Sequence, residues 1–159
     1  MKVSTKGQYG IRAMFDLAFC YGQGPVPISK IAANQKISDA YLEQLFAKLR
    51  RAGLIRSVRG AQGGYELAKK PGDILFGNIL RTLEGEVTPI RCVIDEGACK
   101  NTKSCPSWLI WKRLNDKVNE AMDSISLQDV LDDYEHLNAH GATHSCHKEE
   151  NERYAGLHG

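Results

Sequence analysis

Apolar residues recur at helical intervals along the first half of the chain, and three helices separated by short polar or glycine-containing breaks follow from them. Met14, Leu17, Ala18 and Tyr21 form the first stripe, which stops at "GQGPVP", a run that cannot continue a helix. Ile28, Ile31 and Ala32 mark a short second helix through about Gln35. Leu42, Leu45, Phe46 and Leu49 then fall at i, i+3, i+4 and i+7, with Ser38 as N-cap and Gly53 closing the third helix. The next stretch, "LIRSVRGAQGGYELAKKP", holds two short alternating runs around a glycine-rich turn, the chemistry of a β-hairpin. Two adjacent helices with a tight turn, the second amphipathic, followed by a hairpin wing, predict a mainly α fold built on a winged helix-turn-helix.

After Pro71 the helical pattern returns. A helix around Phe76 to Leu83 precedes a polar, cysteine-bearing stretch, and Trp111, Leu114, Val118, Met122 and Ile125 then stripe a longer helix. That helix runs from about Ser107 to Ser124, about 27 Å at 1.5 Å per residue. "SLQD" at Ser126 to Asp129 is a capping-box sequence that restarts a final helix with Leu127, Val130, Leu131, Tyr134 and Leu137. A long apolar-striped helix outside a compact DNA-binding unit predicts pairing with a second copy, which sets two reading helices over paired half-sites; packing on its own domain is the competing use. Three segments result: 1–75, a winged helix-turn-helix; 76–137, the cysteine loop and dimerisation helices; and 138–159, a polar tail without periodicity that is expected to be disordered.

Charge separates the two halves. The net charge of +2 over 159 residues conceals 12 Lys and Arg against 5 Asp and Glu in residues 1–75, a balance of +7, and 9 against 14 in residues 76–159, a balance of −5. Only the basic half suits a phosphate backbone, so a nucleic-acid surface belongs there. On the third helix Ser38, Asp39, Tyr41, Glu43, Gln44, Lys48, Arg50 and Arg51 point away from the apolar stripe. A polar face opposite an apolar one is by itself only a solvated surface. The short helix before it, the Arg/Gly wing and the basic balance favour a DNA reader. Ser38, Tyr41 and Gln44 can hydrogen-bond bases or phosphates, Glu43 can accept from a cytosine amino group, and Arg50 suits phosphate. Arg59 and Gly60 stand at the wing, where the arginine would enter a minor groove or clamp phosphates. The glycines at 60 to 64 lack the following helix and the Lys-Ser/Thr of a P-loop, which excludes a nucleotide cradle.

Apolar and charged fractions of 42% and 25% are those of ordinary soluble proteins. No run approaches the roughly 18 apolar residues of a membrane span, and the first residues lack the features of a secretory signal, so a cytoplasmic, reducing compartment is expected. There, clustered cysteines bind metal or react more often than they form structural disulfides. Cys92, Cys99 and Cys105 lie in "RCVIDEGACKNTKSCPSW", six and five residues apart, wider than the gaps of zinc knuckles or thioredoxin-like pairs. Gly97 and Pro106 bend the chain so that the sulfurs could converge, and the stretch is too polar for a core. Zinc with one further ligand and an iron–sulfur cluster both suit three thiolates, and spacing does not choose between them. Cys20, among apolar residues, reads as core; Cys146 receives no role. No Ser/His/Asp or Cys/His constellation is present and all five histidines lie at or beyond residue 136, so an enzyme is not expected.

"STKGQYGIRAM", "ISDAYLEQLFAKLRRAGLIRSVRGAQGGYELAK" and the triad Cys92, Cys99, Cys105 carry a resemblance covering roughly Met1 to Leu137. In these the chain resembles the Rrf-type bacterial transcription regulators, most closely the IscR-like branch, the iron–sulfur-cluster regulators of cluster biogenesis. The resemblance implies a homodimer that binds double-stranded promoter DNA and carries one 2Fe-2S cluster per subunit on Cys92, Cys99 and Cys105. It maps the recognition helix onto Ser38 to Arg50 and the wing onto Arg59 to Gly64. The implied function is a repressor of iron–sulfur biogenesis genes, including its own operon; a nitric-oxide or redox sensor with the same cluster and a zinc-stabilised DNA-binding module are the alternatives. The fourth ligand departs from the pattern. IscR-like members often place a histidine three residues beyond the last cysteine, where this chain has Trp108, and other branches use an acidic residue near the partner's N-terminus, where this chain has Gln8. An imidazole would have to come from His136, His140, His144, His147 or His158; Asp95, Glu96, Ser104, Ser107 or solvent could supply oxygen.

Overall fold

The computed structural model describes residues 3–88, 90–100 and 104–137. The tail read as disordered, 138–159, lies outside the described residues, and with it Cys146 and four of the five histidines. The elements are α1 (Thr5–Phe19), α2 (Ile28–Gln35), α3 (Asp39–Arg51), the hairpin β1 (Ile55–Val58) and β2 (Gly64–Leu67), α4 (Phe76–Glu84), α5 (Pro106–Asp123) and α6 (Leu127–Leu137). Short 3-10 turns occupy Pro71–Asp73, Arg91–Val93 and Glu96–Ala98. No helix among the described residues is long and apolar enough to cross a membrane.

The first three stripes meet in one core, where Met14, Leu17, Ile31, Leu42, Leu45, Phe46 and Leu49 are buried, and Cys20 joins them. Tyr21 does not: α1 stops at Phe19 and leaves Tyr21 in the glycine-rich turn, 46% exposed. Asp16 of α1 accepts from Gln35 Nε2 at 2.9 Å inside the core, which ties α2 to α1. The turn from α2 to α3 is a Schellman closure, with Ile37 N–H on Ala32 C=O and Lys36 N–H on Ala33 C=O. Lys36 takes the left-handed position there, φ 55°, although it is not glycine. Ser38 then caps α3, its hydroxyl accepting from Tyr41 N–H at 3.2 Å. The other end of α3 closes the same way, with Leu54 N–H on Leu49 C=O and Gly53 N–H on Arg50 C=O.

The hairpin pairs Ile55 with Leu67 and Val58 with Gly64, and a third segment joins it. Val26, in the α1–α2 connection, exchanges both backbone hydrogen bonds with Tyr65, at 2.8 and 2.9 Å. Gly64 permits this approach, because a Cβ there would lie 2.3 Å from Val26 O. The Tyr65 ring stands edge-on to Phe46 of α3, with centroids 4.9 Å apart.

The basic-to-acidic change near residue 75 does not divide the core, since Ile79 and Leu83 of α4 and Leu127 and Leu131 of α6 belong to the same buried cluster. α4 lies against α1 at Gly7 and Gly10, where a Cβ on Gly10 would be 2.1 Å from Leu83 Cδ1. Glu84, the last residue of α4, accepts from Gly7 N–H at 2.9 Å and from the Ser4 hydroxyl, while Lys6 Nζ lies 4.0 Å from its other oxygen. Ser4 is the N-cap residue of α1 but makes no side-chain cap of its own, so a carboxylate from another helix supplies it. α5 leaves this body and returns. Its C-terminal part packs Met122 and Val118 with Leu80 and Val87, and Arg81 binds Asn119 and Asp123. The start of α6 is stitched to the start of α4 by Phe76 N–H to Ile125 C=O and Leu127 N–H to Ile74 C=O, and α6 then packs on α1 and the Pro71–Asp73 turn.

The capping box expected at the start of α6 forms: Asp129 N–H donates to Ser126 Oγ at 3.1 Å and Ser126 N–H to Asp129 Oδ2 at 2.7 Å. The Ser126 hydroxyl also donates to that carboxylate at 2.6 Å. These bonds, the hydroxyl first, hold the Asp129 carboxyl below its ordinary range, against a smaller opposing effect of burial. Because the folded value is the lower one, the stabilisation is complete above the ordinary carboxylate range and is lost as pH falls through the lowered value. Asp129→Asn should therefore melt lower than the parent at neutral pH, with the gap closing in acid; thermal melts across pH check this. Gly64→Ala should cost about 1–3 kcal/mol by forcing Val26 away from the hairpin, read by chemical denaturation.

Candidate nucleic-acid interface and thiol loop

α3 presents Ser38, Glu43, Gln44 and Arg50 to solvent, while its opposite face is fixed in the core by Leu42, Leu45, Phe46 and Leu49. Lys48, Arg50 and Arg51 fill its last turn, where cations also complement the helix dipole. Arg51 donates to Ala47 C=O, and Arg56 pairs with Glu66 across the hairpin at 2.8 Å. Arg50 and Arg59 form no ion pair among the described residues, so both guanidinium groups face water with their donors available. Arg59 and Gly60 are exposed at the tip of the hairpin, on the loop that β1 and β2 hold out from the body.

Two of the sequence-selected residues have structural duties. The Ser38 hydroxyl accepts at the helix cap but keeps its own proton to donate. Tyr41 is half-buried, and its ring meets Tyr9 edge-on at 6.3 Å and 88°. Arg12 lies 5.8 Å over the Tyr9 ring, a cation–π contact. Arg12, Tyr9 and Tyr41 thus form a line from α1 to the N-terminal turns of α3. Sequence reasoning missed Tyr9 and Arg12, although their spacing of three in "QYGIR" already set them on one helical face.

The cysteines lie between α4 and α5. Cys92 is half-buried in the Arg91–Val93 turn, Cys99 is exposed after the Glu96–Ala98 turn, and Cys105 is half-buried as the N-cap residue of α5, with Pro106 in its first turn. None of the three is in a disulfide. Asp95 Oδ1 accepts from Gly97 N–H at 2.9 Å, which tightens the bend between the first two cysteines. Trp108 Nε1–H donates to Cys92 C=O at 3.0 Å. Three thiols in a polar loop match a thiolate-held metal group in kind. In position they do not: among the described residues no three His, Cys, Asp or Glu side chains are gathered closely enough to hold a metal ion. Gln8, exposed, donates to Val3 C=O, and His136 is exposed on α6.

An outward-facing second helix of a helix-turn-helix, set beside a basic wing, defines a winged-helix DNA-binding regulator. The chain belongs to the Rrf2 family of iron-dependent transcriptional regulators, whose family model matches residues 3–133. It is 43% identical over 130 residues to the HTH-type transcriptional regulator CymR of Bacillus subtilis, covering 82% of this chain and 89% of that one. The solved structure of that CymR, described as the global cysteine regulator, superposes with a TM-score of 0.68. Similarity to the HTH-type transcriptional regulator IscR of Aliivibrio salmonicida is 41% over 135 residues, 85% of this chain and 80% of the relative. The structure of T. potens IscR is 46% identical, covers 91% of this chain and 94% of its own, and gives a TM-score of 0.68. These relatives are named as regulators of transcription, not as enzymes.

Proposed function

We propose that the chain is an iron–sulfur-dependent regulator that acts as a homodimer on promoter DNA, repressing cluster-biogenesis genes and its own operon. The observation that carries this reading is the thiol loop: three cysteines, none in a disulfide, on one polar segment between the helix whose Glu84 closes α1 and the helix that exposes Leu109, Ile110 and Leu114. Identity of 41% with the IscR of Aliivibrio salmonicida and 46% with T. potens IscR supports it. Cys92, Cys99 and Cys105 would hold a 2Fe-2S cluster, one per subunit, which supplies an oxidisable and removable constraint on the loop. A cluster held there would fix the two ends of the loop relative to each other. One end follows Glu84, whose carboxylate holds the N-terminus of α1, and α1 carries Tyr9 against Tyr41. The other end is Cys105 at the start of α5. DNA must bind the occupied and empty forms unequally for this to regulate anything.

The dimer reading rests on α5. Leu109, Ile110 and Leu114 are 57%, 67% and 44% exposed, and Met122 alone among the α5 residues is buried. A second copy of α5 would cover that face and set two α3 helices over paired half-sites. The DNA contacts we assign are Ser38, Tyr41, Glu43, Gln44 and Arg50 on α3 with Arg59 and Gly60 on the wing. Similarity to the global cysteine regulator supports a second reading, in which the same fold answers to cysteine supply without a cluster.

Anaerobic purification should yield coloured protein with iron and acid-labile sulfide, and Cys92→Ala, Cys99→Ala or Cys105→Ala should remove the colour while the fold persists. Colourless protein without iron would leave the second reading standing. Loaded and cluster-free protein should differ in affinity for the chain's own promoter in a gel-shift titration. Arg59→Ala should weaken DNA binding by about 1–3 kcal/mol if the side chain reads a groove, or flatten the salt dependence if it meets phosphate.

A further inference from the structure

The same backbone closure ends α2 and α3, but with different residues. At the end of α3 the left-handed position, φ 70°, belongs to Gly53. At the end of α2, with the equivalent pair of hydrogen bonds, it belongs to Lys36, φ 55° and ψ 41°. A Cβ in that conformation crowds the backbone, so glycine is the usual residue at this place. Every other described residue with a left-handed φ is a glycine, so the chain meets the demand without strain everywhere but here. A cation near a helix C-terminus also complements the helix dipole. Ala33 and Asn34, exposed in the last turn of α2, would give a lysine that benefit in ordinary helical geometry. Lys36 is exposed and forms no ion pair among the described residues, so no carboxylate of the fold holds it there.

We propose that Lys36 is a DNA-backbone contact whose ammonium meets a phosphate beside the groove that α3 enters. This rests on the reading of α3 as the recognition helix. Lys36 stands two residues before Ser38, the cap of α3, and so at the end of that helix where the reading face begins. The cations of α3 itself, Lys48, Arg50 and Arg51, all lie in its last turn, whereas its first turn holds Asp39, an exposed acid that repels phosphate. Lys36 supplies the missing cation at that end. An ammonium on a flexible stem, with three donors and no acceptor, suits a phosphate oxygen better than a base edge. Such a contact fixes the register of the protein on the duplex without reading its sequence. A backbone strain retained at this one position is then the cost of placing a charge where the DNA passes.

Stability and DNA binding should move in opposite directions at this position, which a merely structural lysine would not produce. Full-length Lys36→Gly should melt higher than the parent, because the strain is gone, yet bind a duplex of the chain's own promoter several-fold more weakly. Lys36→Gln, which keeps the backbone demand and removes the charge, should weaken binding by a similar factor. In both variants the slope of log affinity against log salt should shrink by about 0.9 for each lysine lost. A random-sequence duplex of the same length should lose affinity by the same factor as the promoter, since every sequence carries the phosphate. Lys36→Arg should bind as the parent does. A lower melting temperature for Lys36→Gly would remove the strain on which the argument stands, and an unchanged salt slope in Lys36→Gln would overturn the contact. Gln44→Ala separates this from the reading beneath it. If Gln44→Ala weakens promoter binding and Lys36→Gln does not, Lys36 alone is misassigned; if neither does, the reading of α3 falls with it.

Discussion

The close crossing of α4 over the N-terminal half of α1 is the constraint on which the other parts depend. Glycine inside a helix costs about 1 kcal/mol relative to alanine, and α1 carries two within four residues. Burying a leucine side chain returns about 1.5–3 kcal/mol, and Leu80 and Leu83 are buried in the space the missing side chains leave. The exchange favours the crossing. It also brings the Glu84 carboxylate onto the Gly7 N–H and the Ser4 hydroxyl, so the start of α1 is closed by a residue 77 positions from Gly7 in sequence. The turn that holds Cys92 begins at Arg91, seven residues beyond that carboxylate.

The elements that depend on neighbours in sequence were legible in it. The stripe of α3, its Ser38 cap, the closure at Gly53 and the Ser126–Asp129 box are local chemistry, and each forms where the residues indicated. What could not be read was contact across distance. Val26 sits in a proline-flanked connection that looks like a plain linker, yet it makes a third edge of the wing through Tyr65. Glu84 lies 77 residues from the Gly7 N–H that it accepts. Tyr41, chosen for its hydroxyl and its place on the polar face, turned out to pack its ring on Tyr9, because an aromatic beside another helix gains more from burial than from water. Trp108 was visible as the residue that cannot ligate; that its donor is engaged by Cys92 needed coordinates.

The uncovered apolar residues of α5 and the charge division of the chain are complementary facts. The basic residues concentrate in the part that forms the helix-turn-helix and wing, whereas α5 mixes Leu109, Ile110 and Leu114 with exposed Lys112–Asp116 and Lys117–Glu120 pairs. Those pairs are surface bonds of little energetic weight, but they neutralise the flanks of the apolar face locally. A face that is apolar along its crest and charge-balanced along its sides suits another such helix better than it suits a phosphate backbone.

Tyr65 has a consequence for the entropy of reading DNA. A two-stranded hairpin alone is a flexible arm, marginal in water and free to sample many angles. Here its backbone is pinned to Val26 on one side and its ring to Phe46 of α3 on another. The wing tip and the reading helix therefore keep a set separation before any duplex arrives. A wing held this way loses little freedom when it meets a partner, so its shape is set before any side chain has been asked to recognise a base.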